Sequence, residues 1–250
     1  MTKRRKKIIF CVTFLFISVV LYNAYKYIPY RFEHLSGIKK VHAHRVNTIT
    51  KLNQAKLYYT GIELDVIFDT KTNTFDVYHP PAESIGLNLE TYLSKLSDDN
   101  LKVWLDFKNL TAENKVLATS RLVFLMTKFK LTKQMFLVES KNIDQLQYIN
   151  DRGFLTSYYV PSSLYNSNKK FKDSIYKLIM TYNQQSISFT HQNYIELHKK
   201  FPRREKFVWA LYGNPLGKSR VHQIRITRRI LKDTTVKRLL VPFKSIGGNR

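Results

Sequence analysis

The feature that most constrains this chain is a repeating alternation: short apolar runs of four to seven residues are separated, almost throughout, by segments with helical spacing. KKVHAH, GIELDVIF, LKVWLDF, QMFLVES, FLTSYYV, SISFT, KFVWALY and VKRLLVPF are the principal strand candidates, and TFDVYH adds a short strand after the second. Runs that are apolar on both faces suit parallel strands buried between helices, and parallel strands need crossover connections. Helices are expected at Ile49 to Tyr59, Leu89 to Leu96, Ala112 to Lys128, Ile143 to Asp151, Lys172 to Tyr182, Tyr194 to Lys200 and Ser219 to Lys232. Thr111 is expected to cap the third of these. Eight strands linked by seven helices predict an α/β fold of the (β/α)8 barrel type, and 250 residues suffice for one such barrel. An open doubly wound sheet shares the alternation. No G-x-G-x-x-G follows the first strand and no G-x-x-x-x-G-K-[ST] occurs, so the common nucleotide-binding versions have no support.

Ahead of the barrel, TKRRKK precedes a stretch from Ile8 to Tyr25 without a formal charge. It is longer than the apolar region of a cleaved signal peptide and lacks an A-x-A site, so a retained membrane anchor is expected. Tyr22, Tyr25, Tyr27 and Tyr30 would lie at the interface, and the basic flank would stay cytoplasmic. The expected organisation is therefore residues 1–30 as basic flank and transmembrane anchor, and residues 31–250 as barrel. In a bacterium the barrel would be held at the inner membrane on the periplasmic side.

The net charge of +24 attracts anionic partners without specifying one. No recognised nucleic-acid-binding motif accompanies it, so a nucleic-acid partner is not expected. Cys11 is the only cysteine and lies in the apolar run, which leaves the barrel without a thiolate. The oligomeric state is not legible.

Barrel chemistry sits at the C-terminal ends of strands. There the first half of the chain carries His42, His44 and Arg45, then Glu63 and Asp65, then His79, then Asp106 and Lys108. Glu63 and Asp65 stand two residues apart, so both carboxylates share one strand face. Such a pair, with Asp106 as a third acid, is tolerated when a hard cation such as Ca²⁺ or Mg²⁺ neutralises it. His44 and His79 supply two groups that exchange protons near neutral pH. Arg45 and Lys108 can meet phosphate oxygens or pair with the acids.

In order, these residues resemble the glycerophosphodiester phosphodiesterase family, within the wider group of phospholipase-C-like phosphodiesterases. HAHRVNT is similar to the family's His-Arg and Asn-Thr, ELDV to its E-x-D-V, DTKTNTFDVYH to the segment ending in its second histidine, and DFK to its acid-x-Lys. The weaker likeness of VESKNIDQLQYI and FVWALY extends the match over most of residues 38–212. The departures are Val46 after His-Arg, Pro80 after His79, Asp106 where the family generally has Glu, and an eighth strand without Thr-Asp. The resemblance implies a metal-dependent phosphodiester hydrolase acting on a glycerophosphodiester, phospholipid headgroup or phosphorylated glycan. His44 and His79 would be catalytic, Glu63, Asp65 and Asp106 would hold the metal, and Arg45 and Lys108 would contact phosphate. His42, Asn47 and Trp209 would support them. The alternative is a catalytically silent barrel that binds an anionic envelope glycan or lipid.

Overall fold

A computed structural model describes residues 3–25, 27–96, 101–182, 185–212 and 220–246, excluding the side chains of residues 22, 23 and 25. Eight parallel strands form the barrel: β1 (Val41–His44), β2 (Gly61–Asp69), β4 (Lys102–Phe107), β5 (Phe136–Ser140), β6 (Leu155–Tyr159), β7 (Ser186–Thr190), β8 (Lys206–Trp209) and β9 (Val236–Pro242). Each pairs with the next, and β1 closes the ring by pairing with both β2 and β9. The remaining strand, β3 (Thr74–Val77), runs antiparallel to β2 on the outside. All nine strand expectations from the sequence are met, and closure excludes the open sheet.

The helices are α1 (Lys3–Tyr25), α2 (Ile49–Ala55), α3 (Leu89–Leu93), α4 (Lys115–Lys128), α5 (Ile143–Asn150), α6 (Lys169–Thr181), α7 (Tyr194–Lys200) and α8 (Arg220–Lys232). The expected start of the last helix, Ser219, lies outside the described residues. The expected cap at Thr111 is corrected: α4 begins at Lys115. Ahead of it the Thr111 amide donates to Asn114 Oδ1 at 2.8 Å and the Asn114 amide to Thr111 Oγ1 at 3.4 Å. This reciprocal turn consumes the polar groups that would have continued the helix backwards.

Alternation along the strands divides the apolar residues between two cores. Val103, Leu105, Val138, Ile187 and Phe189 face the helices and meet side chains such as Leu122, Leu146 and Ile230. Trp104, Leu137, Phe207 and Leu240 fill the barrel itself. Below them the fully buried His42 ring lies over Gly61, where an added Cβ would stand 2.2 Å from His42 Cε1. Gly61 is therefore required by the space the imidazole occupies. The interior plug leaves only the upper rim open, and that rim carries the site.

Among the described residues no helix is long and apolar enough to cross a membrane. The uncharged run with described side chains, Ile8–Leu21, makes about 21 Å of helix, short of a ~30 Å hydrocarbon core. The expected span continued to Tyr25, so part of it, including the side chains of Tyr22 and Tyr25, lies outside the described side chains. After α1 the chain is tied to the barrel. Tyr59 donates its hydroxyl to the Pro29 carbonyl at 2.6 Å, Tyr30 donates to the Tyr58 carbonyl, and residues 32–40 form a 3-10 segment against α8.

Candidate active site

β1 and β2 set the site's first layer. Beyond His44 the backbone turns left-handed at Arg45 (φ 55°), a conformation that costs a non-glycine residue roughly 1–2 kcal/mol. The turn aims the Arg45 amide at Glu63 Oε2, 2.7 Å away, and the next amide, of Val46, donates to the Glu63 carbonyl at 2.8 Å. His44 Nε2 stands 3.7 Å from the same carboxylate. Asn47 clamps Asp65 from both sides: its Nδ2 donates to Asp65 Oδ2 at 2.7 Å, and its Oδ1 accepts from the Asp65 amide at 3.0 Å. Asn47 thus holds Asp65 through both its carboxylate and its backbone amide.

The β2–β3 hairpin delivers His79. Its Nε2 lies 3.9 Å from Asp65 Oδ1 and 2.9 Å from Arg45 Nη2. A guanidinium only donates, so His79 Nε2 is the acceptor in this contact. From β4, Lys108 Nζ bonds to Asp65 Oδ1 at 2.7 Å and also to Asp106 Oδ2. Lys108 is therefore wedged between two expected metal ligands rather than standing free for phosphate.

Glu63, Asp65 and Asp106 each bring a carboxylate oxygen within 4.8 Å of the others. Burial pushes the Glu63 carboxyl well above the usual carboxylate range, and Asp65 and Asp106 push it further. Asp106 is also raised, first by burial, although Lys108 opposes this. Burial would lower Lys108, but the Asp106 and Asp65 carboxylates outweigh it and hold the ammonium above its ordinary range. Burial, with Arg45 next in effect, pulls His44 down to about 3, so it rests neutral. An all-oxygen set under mutual repulsion matches what a hard divalent cation binds, and the three acids fit one.

The sequence reading missed Glu139 at the upper end of β5. It is 2% exposed and lines the same pocket, of about 100 Å³, as His44, Arg45, Glu63, Asp65, His79, Asp106, Lys108 and Trp209. Trp104 Nε1 donates to Glu139 Oε2 at 3.0 Å, and the other oxygen meets Ser188 Oγ. Burial, then Asp106, pushes Glu139 well above the usual range. Ser188 Oγ donates toward Glu139 Oε1 and also lies 3.1 Å from the Tyr158 carbonyl, so one hydroxyl joins β5, β6 and β7 beneath the mouth. The signal was present in QMFLVES, a polar residue ending an apolar run, the same rule that singled out Asp106.

Trp209 stacks on Tyr159 (4.9 Å between ring centroids) and forms one wall. His42 is corrected: it lies in the plugged barrel interior, and neither ring nitrogen has a hydrogen-bond partner. It shapes the strand pair beneath the site rather than supporting the groups of the mouth.

The molecule is thus a closed (β/α)8 barrel with an acid-lined, histidine-flanked mouth. No protein-family model and no curated protein sequence matches the chain. Among solved structures its fold is that of glycerophosphodiester phosphodiesterases. One from Parabacteroides distasonis superposes with a TM-score of 0.58 at 18% identity, over 82% of this chain and 93% of that one. A glycerophosphoryl diester phosphodiesterase from Agrobacterium tumefaciens gives 0.60 at 12% identity, over 82% and 94%. A phosphodiesterase from Oleispira antarctica, in complex with the product sn-glycerol-3-phosphate, gives 0.56 at 10% identity, over 82% and 93%.

Proposed function

We propose that this chain is a divergent glycerophosphodiester phosphodiesterase, a phosphoric diester hydrolase that depends on a divalent cation. The observation that carries the reading is the meeting of His44, His79, Glu63, Asp65 and Asp106 in one pocket from four separate segments. The likeness to barrels of that activity, one of them holding sn-glycerol-3-phosphate, supports it. Glu63, Asp65 and Asp106 hold the ion, Ca²⁺ or Mg²⁺, which when bound draws charge from the phosphoryl oxygens.

The chain's own residues do the rest. Arg45 and Lys108 give up their resting contacts with His79 and the acids to meet the phosphate, which frees the His79 lone pair. One imidazole takes the proton of the attacking oxygen and the pair returns a proton to the leaving alcohol; the site's proton count is unchanged over a cycle. Asn47 keeps Asp65 oriented, and Trp209 walls off one side from water.

We further infer that α1 anchors the enzyme in the cytoplasmic membrane, with the barrel on the extracytoplasmic side. The basic flank Lys3–Lys7 orients it. From Ile8 to Val20 the helix exposes large apolar side chains around its circumference, Phe10 at 71% and Leu15 at 65% among them. A helix serving a soluble core would bury one stripe.

The test uses the full chain in detergent, stripped of metal and reloaded with Ca²⁺ or Mg²⁺, on glycerophosphodiesters and bis(p-nitrophenyl) phosphate. His44→Ala and His79→Ala should each lower kcat by about 10²–10⁴-fold. Rates equal to the unaltered chain would overturn the catalytic assignment and leave a binding barrel.

A further inference from the structure

Arg45 and His79 line a second space besides the reaction pocket. It is a trough of about 980 Å³, and its walls include Val77, Ile85 and Phe243 on the apolar side and Lys51 and Lys244 on the cationic side. Tyr27, two residues past the end of α1, also lines it. That volume is near the top of the ~300–1,000 Å³ range of pockets that hold whole drug-sized ligands. The glycerol or amino-alcohol arm of a water-soluble glycerophosphodiester, a handful of heavy atoms, leaves most of it unfilled.

The trough is tied to the place where α1 ends. Tyr30 packs on Tyr59 with ring centroids 5.2 Å apart, and Tyr59 packs edge-on against Phe243 at 5.6 Å. With the hydrogen bond from Tyr59 to Pro29, this aromatic chain runs from the segment leaving α1 to the trough wall. Ile85, 65% exposed, extends the apolar wall outward. A cavity beginning at Arg45, flanked by lysines, walled by apolar groups and reaching Tyr27, two residues past α1, suits a ligand with an anionic head and an apolar tail.

We propose that the trough holds the acyl chain of a lysophospholipid, a glycerophosphodiester that carries one acyl chain, drawn from the bilayer beside the barrel. The proposal rests on the phosphodiesterase reading above and narrows its substrate class. Each methylene sheltered from water is worth about a factor of four in affinity, so a long chain outcompetes the deacylated diester. A second chain doubles what must leave the bilayer. In the reaction a water oxygen bonds to phosphorus and the phosphorus–oxygen bond to the headgroup alcohol breaks. The alcohol leaves with one of the water's protons, and the acylglycerol keeps the phosphomonoester.

The experiment compares palmitoyl lysophosphatidylcholine, glycerophosphocholine and dipalmitoyl phosphatidylcholine as substrates of the full chain in detergent, beside Ile85→Asp and Ala82→Trp. Both positions are exposed, and both line the trough and not the reaction pocket. The expected result is a preference for the lysolipid that each substitution cuts by about tenfold or more, equivalent to at least two sheltered methylenes. Glycerophosphocholine turnover should stay within about twofold, because its headgroup and phosphate make the same contacts. Equal losses on both substrates, no preference for the lysolipid, or a preference for the diacyl lipid would overturn the proposal. Native mass spectrometry of the same proteins gives a readout independent of turnover: one retained lysolipid on the unaltered chain, and none on Ala82→Trp. If no diester is hydrolysed, the phosphodiesterase reading fails, and lipid retention still decides whether the trough binds an acyl chain.

Discussion

Lys108→Met is the sharpest test of how the mouth is held together. The ammonium bonds to Asp65 and Asp106, whose side chains are 1% and 14% exposed; its own is 21% exposed. Removing one partner of a buried ion pair costs about 3–5 kcal/mol, because the remaining charge is left without compensation. Partial exposure of Lys108 argues for the lower end, about 3 kcal/mol. For a chain of this size each kcal/mol moves Tm by about 2–4 °C, which gives a fall of about 6–12 °C. Methionine keeps the length of the stem, so lost packing contributes little. The assay is thermal unfolding of the full chain in detergent, first with chelator and then with Ca²⁺ or Mg²⁺. In the unaltered chain an ion has to displace the ammonium, whereas in Lys108→Met it meets the acids without a competitor. The ion should therefore stabilise the variant more than the unaltered chain; at a hundred times its Kd for the variant, its gain there is about 2.7 kcal/mol. A metal-free loss below about 1 kcal/mol, or equal gains from the ion in both proteins, would refute the view that Lys108 occupies the cation's position.

Three further outcomes follow from the geometry. Gly61→Ala places a methyl group 2.2 Å from the buried His42 ring and should cost about 1–3 kcal/mol by overpacking; in a His42→Ala background the same change should cost nothing, as chemical denaturation of the double-mutant cycle will show. Glu139→Gln should change stability by less than about 1 kcal/mol, because an amide replaces a neutral acid of the same shape, while Glu139→Ala strands Trp104 Nε1 and should cost about 1–3 kcal/mol. His34 is pulled down to about 4 by burial, with Glu33 opposing, and its Nδ1 accepts from the Arg31 amide at 3.1 Å. Its folded pKa lies below the unfolded value, so its contribution is complete above about pH 6.5 and is lost as pH falls toward 4. The stability gap between the unaltered chain and His34→Gln should narrow in that window by up to about 1.4 kcal/mol per pH unit, and a gap independent of pH would contradict a buried neutral imidazole.

What the sequence disclosed and what it withheld divide along a physical line. Strand identity follows from which residues are apolar, and GIELDVIF or LKVWLDF, apolar on both faces, suit parallel strands covered by helices, whether in a barrel or in an open sheet. The side-chain period of two then puts Glu63 and Asp65 on one face without any knowledge of neighbours. Contacts between strands depend on shear, which no single strand encodes. That is why His42 could be ranked beside His44 although one ring fills the barrel and the other meets Glu63. It is also why the sequence left Lys108 open between phosphate and the acids when its ammonium bridges two of them, and why the left-handed turn at Arg45 had no sequence signal.

Asp106 illustrates the same limit and its resolution. One methylene shorter than the glutamate of the family it resembles, it was the acid whose reach to a shared cation was most in question. The register answers this: Asp65 and Asp106 are directly paired across β2 and β4, and Asp106 and Glu139 across β4 and β5. Three acids therefore lie at one level of the barrel, with Glu63 one pleat below. At that level Asp106 is close enough to join Glu63 and Asp65 despite its short side chain. Glu139 is turned to Trp104 and Ser188, and burial, then Asp106, pushes its carboxyl well above the usual range, which disfavours a further charge beside the cluster. A fourth ionised acid beside Asp106 would deepen the repulsion that one divalent ion and Lys108 must offset.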